Sequence, residues 1–284
     1  MATSATSDQL LVVIDPVARR TDGESVRIAK DVLSAGASGT KVCLPEGPEE
    51  FARALVRRGS RRPVVIGDDR ALVRAVGLLH RQRELADCAL SLVPVGSALS
   101  LARSLGVPMG AVAAARAVLD GAERRMDLLV DDSDGVVLGT LRIPPVGGVT
   151  PLREVTAGGA GHPWLRTCRS LVRTLVPARP SGIVSAPEAG PARLRVEVDG
   201  ETLVDLGQPV EGVSVVPGVS GTARVEVRPA SVGAEASPLS AEGRTVTVSG
   251  AHFRYRADAV VSGPVRTRTW VVWEAAWGLV LPAR

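Results

Sequence analysis

Aromatic residues are nearly missing from this chain: two Phe, one Tyr and four Trp make up 2% of its 284 residues. So few rings leave little on which to stack bases, which argues against nucleic-acid binding. Cysteine is equally sparse, and Cys43, Cys88 and Cys168 are odd in number and widely spaced. That excludes a disulfide framework and a CxxC metal knuckle. His80, His162 and His252 fit neither an HExxH nor a facial-triad spacing, so no protein-built zinc or iron site is expected and no metal ligand is assigned. The longest apolar stretches, Val107 to Ala115 and Trp270 to Leu281, are interrupted or fall short of the ~20 residues a spanning helix needs. The opening MATSATSDQ lacks the basic and apolar regions of a secretory signal, which predicts a cytoplasmic protein.

Lysine is almost absent too: Lys30 and Lys41 are the only two, and the other thirty-two of the 34 basic residues are arginine. The net charge is +4, and the arginine bias reads as base composition rather than a nucleic-acid surface. A local run of Arg53, Arg57, Arg58, Arg61 and Arg62 reads as a solvated helix face and turn, with attraction of phosphates or anionic lipid heads as the alternative. A 45% hydrophobic share excludes disorder of the whole chain, and the length suits about two domains.

The apolar run Leu10 to Ile14, closed by Asp15-Pro16, predicts a strand and loop, and Val26, Ala29, Val32 and Leu33 share one face of a following helix. Lys41 to Leu44 reads as a second strand, and Pro48-Glu49-Glu50 opens a helix carrying Phe51, Leu55 and Val56. Pro63 to Ile66 and Cys88 to Val93 are further strands, followed by helices from Ala71 to about Gln82 and over Leu99 to Leu105. Met109 to Asp120 is a helix stopped by Gly121. This alternation predicts an α/β layer with a mostly parallel sheet.

Beyond it the pattern changes. Met126 to Val130 and Val136 to Leu141 flank Asp131-Asp132-Ser133-Asp134-Gly135, a hairpin turn signal. Residues 143–163 read as a connection and Trp164 to Leu175 as a helix. From Leu194 onward, short alternating runs at 194–198, 213–216, 223–227, 245–248, 253–256 and 269–273 predict an antiparallel β domain, with 229–243 as a long loop. Two domains follow, 8–132 and 133–284. Trp270, Trp273 and Trp277 read as core packing or a lid, and Cys88 as an inert buried thiol.

In an open parallel sheet, ligands bind at the carboxyl ends of the strands, which directs attention to Gly67–Ala71 and Pro94–Ser100. Glycine there admits a phosphate to the backbone, and the following helix N-terminus supplies free N–H groups. IDPVA at 14–18, VVIGDDRALVRAV at 64–76 and LVPVGSALSLARSLGVP at 92–108 resemble the three N-terminal signatures of the diacylglycerol kinase family of lipid kinases, which includes sphingoid-base kinases. Those signatures usually read NPxxG, GGDGTxNEV and PxGTxNDxARxLGIP. AVLDGAERRMDLLVDD at 117–132 resembles a further family segment. The resemblance implies an N-terminal domain folded like the NAD kinases and a C-terminal β-sandwich. It also implies a nucleotide partner and a lipid partner, with ATP and Mg²⁺ as cofactors for phosphorylating a lipid hydroxyl. Asp15, Gly67, Asp68, Asp69, Arg70, Ala71, Gly96 and Ser97 would then lie at the nucleotide, and Asp258 would match a catalytic aspartate.

The match is partial at the positions that carry the chemistry. Asp68 and Arg70 stand where the family has glycine, Ala71 where it has threonine, and Asp15 where it has asparagine. A glycine position that needs a positive φ would be strained by about 1–2 kcal/mol. Asp68 also adds like charge against ATP. Val260 stands where an acidic residue is expected, and the literal Asp199-Gly200-Glu201 reads as a hairpin turn. Two readings therefore stand: an active lipid kinase, and an inactive pseudokinase that serves as a binding or regulatory module. A Rossmann-type dehydrogenase is disfavoured, because the turn Asp15-Pro16-Val17-Ala18 has no glycine triplet.

Overall fold

Continuous apolar runs become buried strands, because a sheet covered on both faces needs side chains of both parities to be apolar. In the computed structural model, which describes residues 9–145, 191–218, 220–230 and 237–283, the run Gln9–Ile14 forms β1 and is buried from Leu10 onward. It pairs in parallel with β2 (Gly39–Cys43) and β3 (Arg62–Gly67), and β3 pairs in parallel with β4 (Ala89–Pro94). Leu10, Val12, Ile14, Val64 and Ile66 pack on one side with Ala29 and Leu33 of α2 (Gly23–Gly36) and Ala114 and Val118 of α6 (Ala111–Asp120). Leu11, Val13 and Val65 pack on the other side with α3 (Pro48–Val56) and α4 (Asp69–Arg81), through Phe51, Leu55, Leu72 and Leu79.

The loop expected after β1 contains a short helix, α1 (Pro16–Thr21), with Asp15 as its N-cap and Pro16 at its first position. Proline is pre-set for that place and lacks only an N–H that would be unpaired. A second short helix, α5 (Ser100–Ser104), fills the stretch expected as Leu99 to Leu105.

The rest of the chain is strand-rich. β5 (Ala122–Asp131), β6 (Val136–Val137) and β7 (Leu141–Ile143) lead to β8 (Ala192–Val198), β9 (Glu201–Val204), β10 (Pro209–Pro217) and β11 (Ala223–Pro229). β12 (Leu239–Gly243) pairs with β11 and occupies the end of the stretch expected to be a loop. Leu-Ser-Ala-Glu-Gly has no β-branched residue, and backbone pairing at the sheet's rim makes the strand. The runs at 245–248 and 253–256 are one strand, β13 (Thr245–Ala257), with a register shift against the last strand between Ser249 and Phe253. Burial alternates along β8, β10 and β11, and Val196, Val215, Val225 and Val248 share one core with Trp270. The connection from 146, the segment 164–175, His162 and Cys168 lie outside the described residues, as does 231–236.

The last strand, β14 (Val260–Leu281), links the strand-rich region to the parallel strands. It pairs with β13 along its first half and with β5 along its second, and Gly278 and Leu279 lie parallel to Ala89 and Leu90 of β4. Trp270 and Trp277 on it are fully buried, as core packing requires, whereas Trp273 is half exposed beside the His80 ring at 5.0 Å.

Candidate functional site

The carboxyl ends of β1, β3 and β4 meet as the parallel-sheet rule anticipates. The Asp15 N–H donates to the Ile66 carbonyl at 2.9 Å and the Val95 N–H to that of Gly67 at 2.9 Å. Glycine at 67 answers a close approach: an added Cβ would lie 2.7 Å from that of Ala71 and 3.0 Å from that of Asp15. Gly96 has φ +133°, and a Cβ there would stand 3.1 Å from that of Asp68. Asp15, Gly67, Asp68, Ala71 and Gly96 are thus gathered around one crossing of backbones, with Ser97 exposed at its edge.

Each aspartate of this group is already engaged. Asp15 accepts the Val17 N–H at 2.8 Å, capping α1, and takes an ion pair from Arg74 at 2.9 Å. Arg74, which falls at the glutamate of the GGDGTxNEV pattern, lies with its guanidinium carbon 5.5 Å from the centre of the Phe51 ring. Asp68 caps α4: its Oδ1 accepts the N–H groups of Arg70 at 3.0 Å and Ala71 at 3.2 Å. Burial raises its carboxyl above the usual 3.8, against the lowering effect of the Ala71 and Arg70 bonds. Asp68 has φ −90° and Arg70 lies inside α4, so neither replacement of glycine strains the backbone. The strain expected there from a positive φ is absent.

Asp69 turns away from the other two. Only 2% exposed, it accepts the N–H groups of Leu101 and Ala102 at 2.9 Å each and the Ser100 hydroxyl at 3.3 Å, capping α5. A carboxylate here is matched to helix-end donors that would otherwise be unpaired.

Asp258 forms the turn between β13 and β14 with φ +50°. Its Oδ2 accepts the Leu138 N–H at 2.7 Å, and its Oδ1 accepts those of Gly139 and Thr140 at 2.8 Å each. Burial pushes its carboxyl up against these bonds, and Asp69 adds a like charge. Gly139 packs closely between α5 and Asp258, since a Cβ on it would meet Leu101 Cδ1 at 2.6 Å and Asp258 Oδ1 at 3.1 Å. Asp69 thus anchors the start of α5, and Asp258 anchors the neighbouring 138–140 segment.

Other acidic motifs are turn builders. Asp131 accepts the Ser133 hydroxyl at 2.7 Å, the Ser133 and Gly135 N–H groups at 2.8 Å each and the Tyr255 hydroxyl at 3.2 Å. Burial alone would raise its carboxyl, but the Ser133 and Gly135 bonds bring it below the usual value. Asp199 and Gly200, with φ +51° and +87°, close the β8–β9 hairpin. Burial pushes the Cys88 thiol up, in keeping with an inert core residue. Among the described residues, no group of three or more His, Cys, Asp or Glu is placed to hold a metal ion, and no helix is long and apolar enough to cross a membrane.

Sequence reasoning missed Arg74 as the partner of Asp15, though the charge change within VVIGDDRALVRAV was visible. The role of Asp69 had no local signal, since its partners lie 32 and 33 residues away.

Comparison with known proteins places this geometry. The sequence model of the diacylglycerol kinase catalytic domain matches residues 9–130. Two solved structures from Bacillus anthracis str. Sterne, each described as of a diacylglycerol kinase, share the fold. The first has a TM-score of 0.68 at 14% identity, covering 96% of this chain and 97% of that one. The second has a TM-score of 0.67 at 12% identity, with the same coverage of 96% and 97%. No curated protein matches the chain significantly. Residues 9–130 therefore match the diacylglycerol kinase catalytic domain, the family that the three N-terminal segments resemble.

Proposed function

We propose that this member of the family no longer carries out ATP-dependent phosphoryl transfer and acts as a binding or regulatory module on a lipid-kinase fold. One observation carries the reading. The Arg70 and Ala71 N–H groups at the start of α4, the natural cradle for a phosphate, are held by the carboxylate of Asp68. An incoming phosphate would have to displace that side chain and then meet its charge. Mg²⁺ and ATP fit the remaining residues poorly as well. The carboxylates of Asp69 and Asp258 each point at two or three backbone donors rather than outward. No step of phosphoryl transfer is derived through them. We place the nucleotide-type domain at 8–132 and a sandwich-type β domain after it, the latter supported by the alternating burial of β8, β10 and β11.

The match over residues 9–130 supports a second reading, an active kinase acting on a lipid hydroxyl. Labelled ATP with Mg²⁺, offered with mixed micelles of diacylglycerol or a sphingoid base, separates the two. The proposal expects no labelled lipid above the protein-free blank; sustained lipid labelling proportional to protein would overturn it.

A further inference from the structure

The arginine run at 53–62 is sorted by the fold into two sets. Arg58 pairs with Glu84, and Arg62 donates to the Val118 carbonyl at 2.7 Å, so both serve the body of the domain. Arg53 and Arg57 turn the other way, into a groove of about 320 Å³ between α3 and the rim strand β2. Glu50, Arg53, Ala54 and Arg57 fall at helical spacing along the exposed side of α3, opposite buried Phe51 and Leu55. Lys41 enters from β2, and Leu44 adds an apolar wall that is 52% exposed.

Three cations thus face one carboxylate, and that carboxylate, Glu50, is 3.6 Å from Arg53. Lys41 and Arg57 form no ion pair among the described residues, so the groove keeps a positive excess. Its volume is that of a small-molecule site, ~300–1,000 Å³, and its mixture of cations with exposed aliphatic side chains suits an anionic head with an apolar body. We infer that this groove is a docking site for the anionic phospholipid headgroups of a membrane surface. The inference is independent of whether the nucleotide loops bind ATP, since no residue is shared between the two places.

Vesicle sedimentation of the full chain tests it, with phosphatidylcholine alone and with phosphatidylcholine containing phosphatidylglycerol. The wild type should sediment with the anionic vesicles and stay in solution with the neutral ones. Lys41→Glu/Arg53→Glu/Arg57→Glu should lower the partition coefficient about a hundredfold, from roughly one decade or less per cation near an anionic surface. Arg116→Glu/Arg124→Glu/Arg228→Glu carries the same charge change away from the groove and should keep most of the binding. Circular dichroism of both variants checks folding, and the neutral Lys41→Gln/Arg53→Gln/Arg57→Gln gives a second series if reversal perturbs it. Equal loss in the groove and control variants would overturn the site, leaving only general attraction to a basic protein. Failure of the wild type to sediment, or binding of free glycerol phosphate without vesicle binding, would overturn the assignment to a lipid surface.

Discussion

Replacing Asp69 with alanine separates a structural carboxylate from a functional one. In the folded chain its two oxygens hold the Leu101 and Ala102 N–H groups at 2.9 Å each, with the Ser100 hydroxyl at 3.3 Å. A hydrogen bond to a charged group contributes ~1.5–3 kcal/mol, and loss of a helix cap costs ~0.5–2 kcal/mol. All three bonds anchor one helix end, so their losses overlap, and we expect about 3–4 kcal/mol rather than their sum. At roughly 2–4 °C per kcal/mol for a chain of this size class, the melting temperature should fall by about 10 °C. Asp69→Asn keeps an acceptor and should lose about half as much. Urea unfolding followed by circular dichroism reads both. If Asp69→Ala is as stable as the wild type, or more stable, while nucleotide binding falls, the carboxylate is a ligand and the capping argument fails.

Further expectations rest on the same geometry. Asp258→Ala leaves the Leu138, Gly139 and Thr140 N–H groups without their acceptor and should destabilise the chain by about 3 kcal/mol, measured by urea unfolding. Gly96→Ala combines a positive φ with a Cβ 3.1 Å from that of Asp68, so it should cost about 1–2 kcal/mol, and part of that cost should vanish in an Asp68→Gly background in a double-mutant cycle. The Asp68 carboxyl titrates above its unfolded value of 3.8, so the stability it contributes is fully present below that pH and is lost as pH rises through the folded value. Asp68→Asn, which cannot ionise, should therefore gain on the wild type as pH rises from 3.8 toward neutrality, as denaturant midpoints at several pH values will report.

Much of this architecture was legible because its signals are local. Leu10 to Ile14 and Pro63 to Ile66 are apolar at every position, as strands covered on both faces must be, and Gly67 marked the turn where Ala71 and Asp15 crowd the backbone, though the sequence alone reads it as room for a phosphate. The pair Asp15-Pro16 also carried a local signal, a cap followed by proline, that announces α1 rather than a loop. What local pattern could not carry was the direction in which a carboxylate points. Asp68 and Asp69 are adjacent and alike in sequence, yet one caps its own helix and the other reaches α5 on another strand's loop. Asp258 matched a family aspartate by position, while its partners at 138–140 lie 118 to 120 residues away. Backbone pairing between distant strands likewise made β12 from residues with weak strand preference and fused two short runs into β13.

Calorimetric titration of Mg²⁺-ATP into the folded wild-type chain tests whether Asp68 closes the α4 N-terminus to a phosphate. No saturable heat is expected up to millimolar ATP, with binding gained on Asp68→Gly/Arg70→Gly/Ala71→Thr. Micromolar, Mg²⁺-dependent binding by the wild type would contradict that closure.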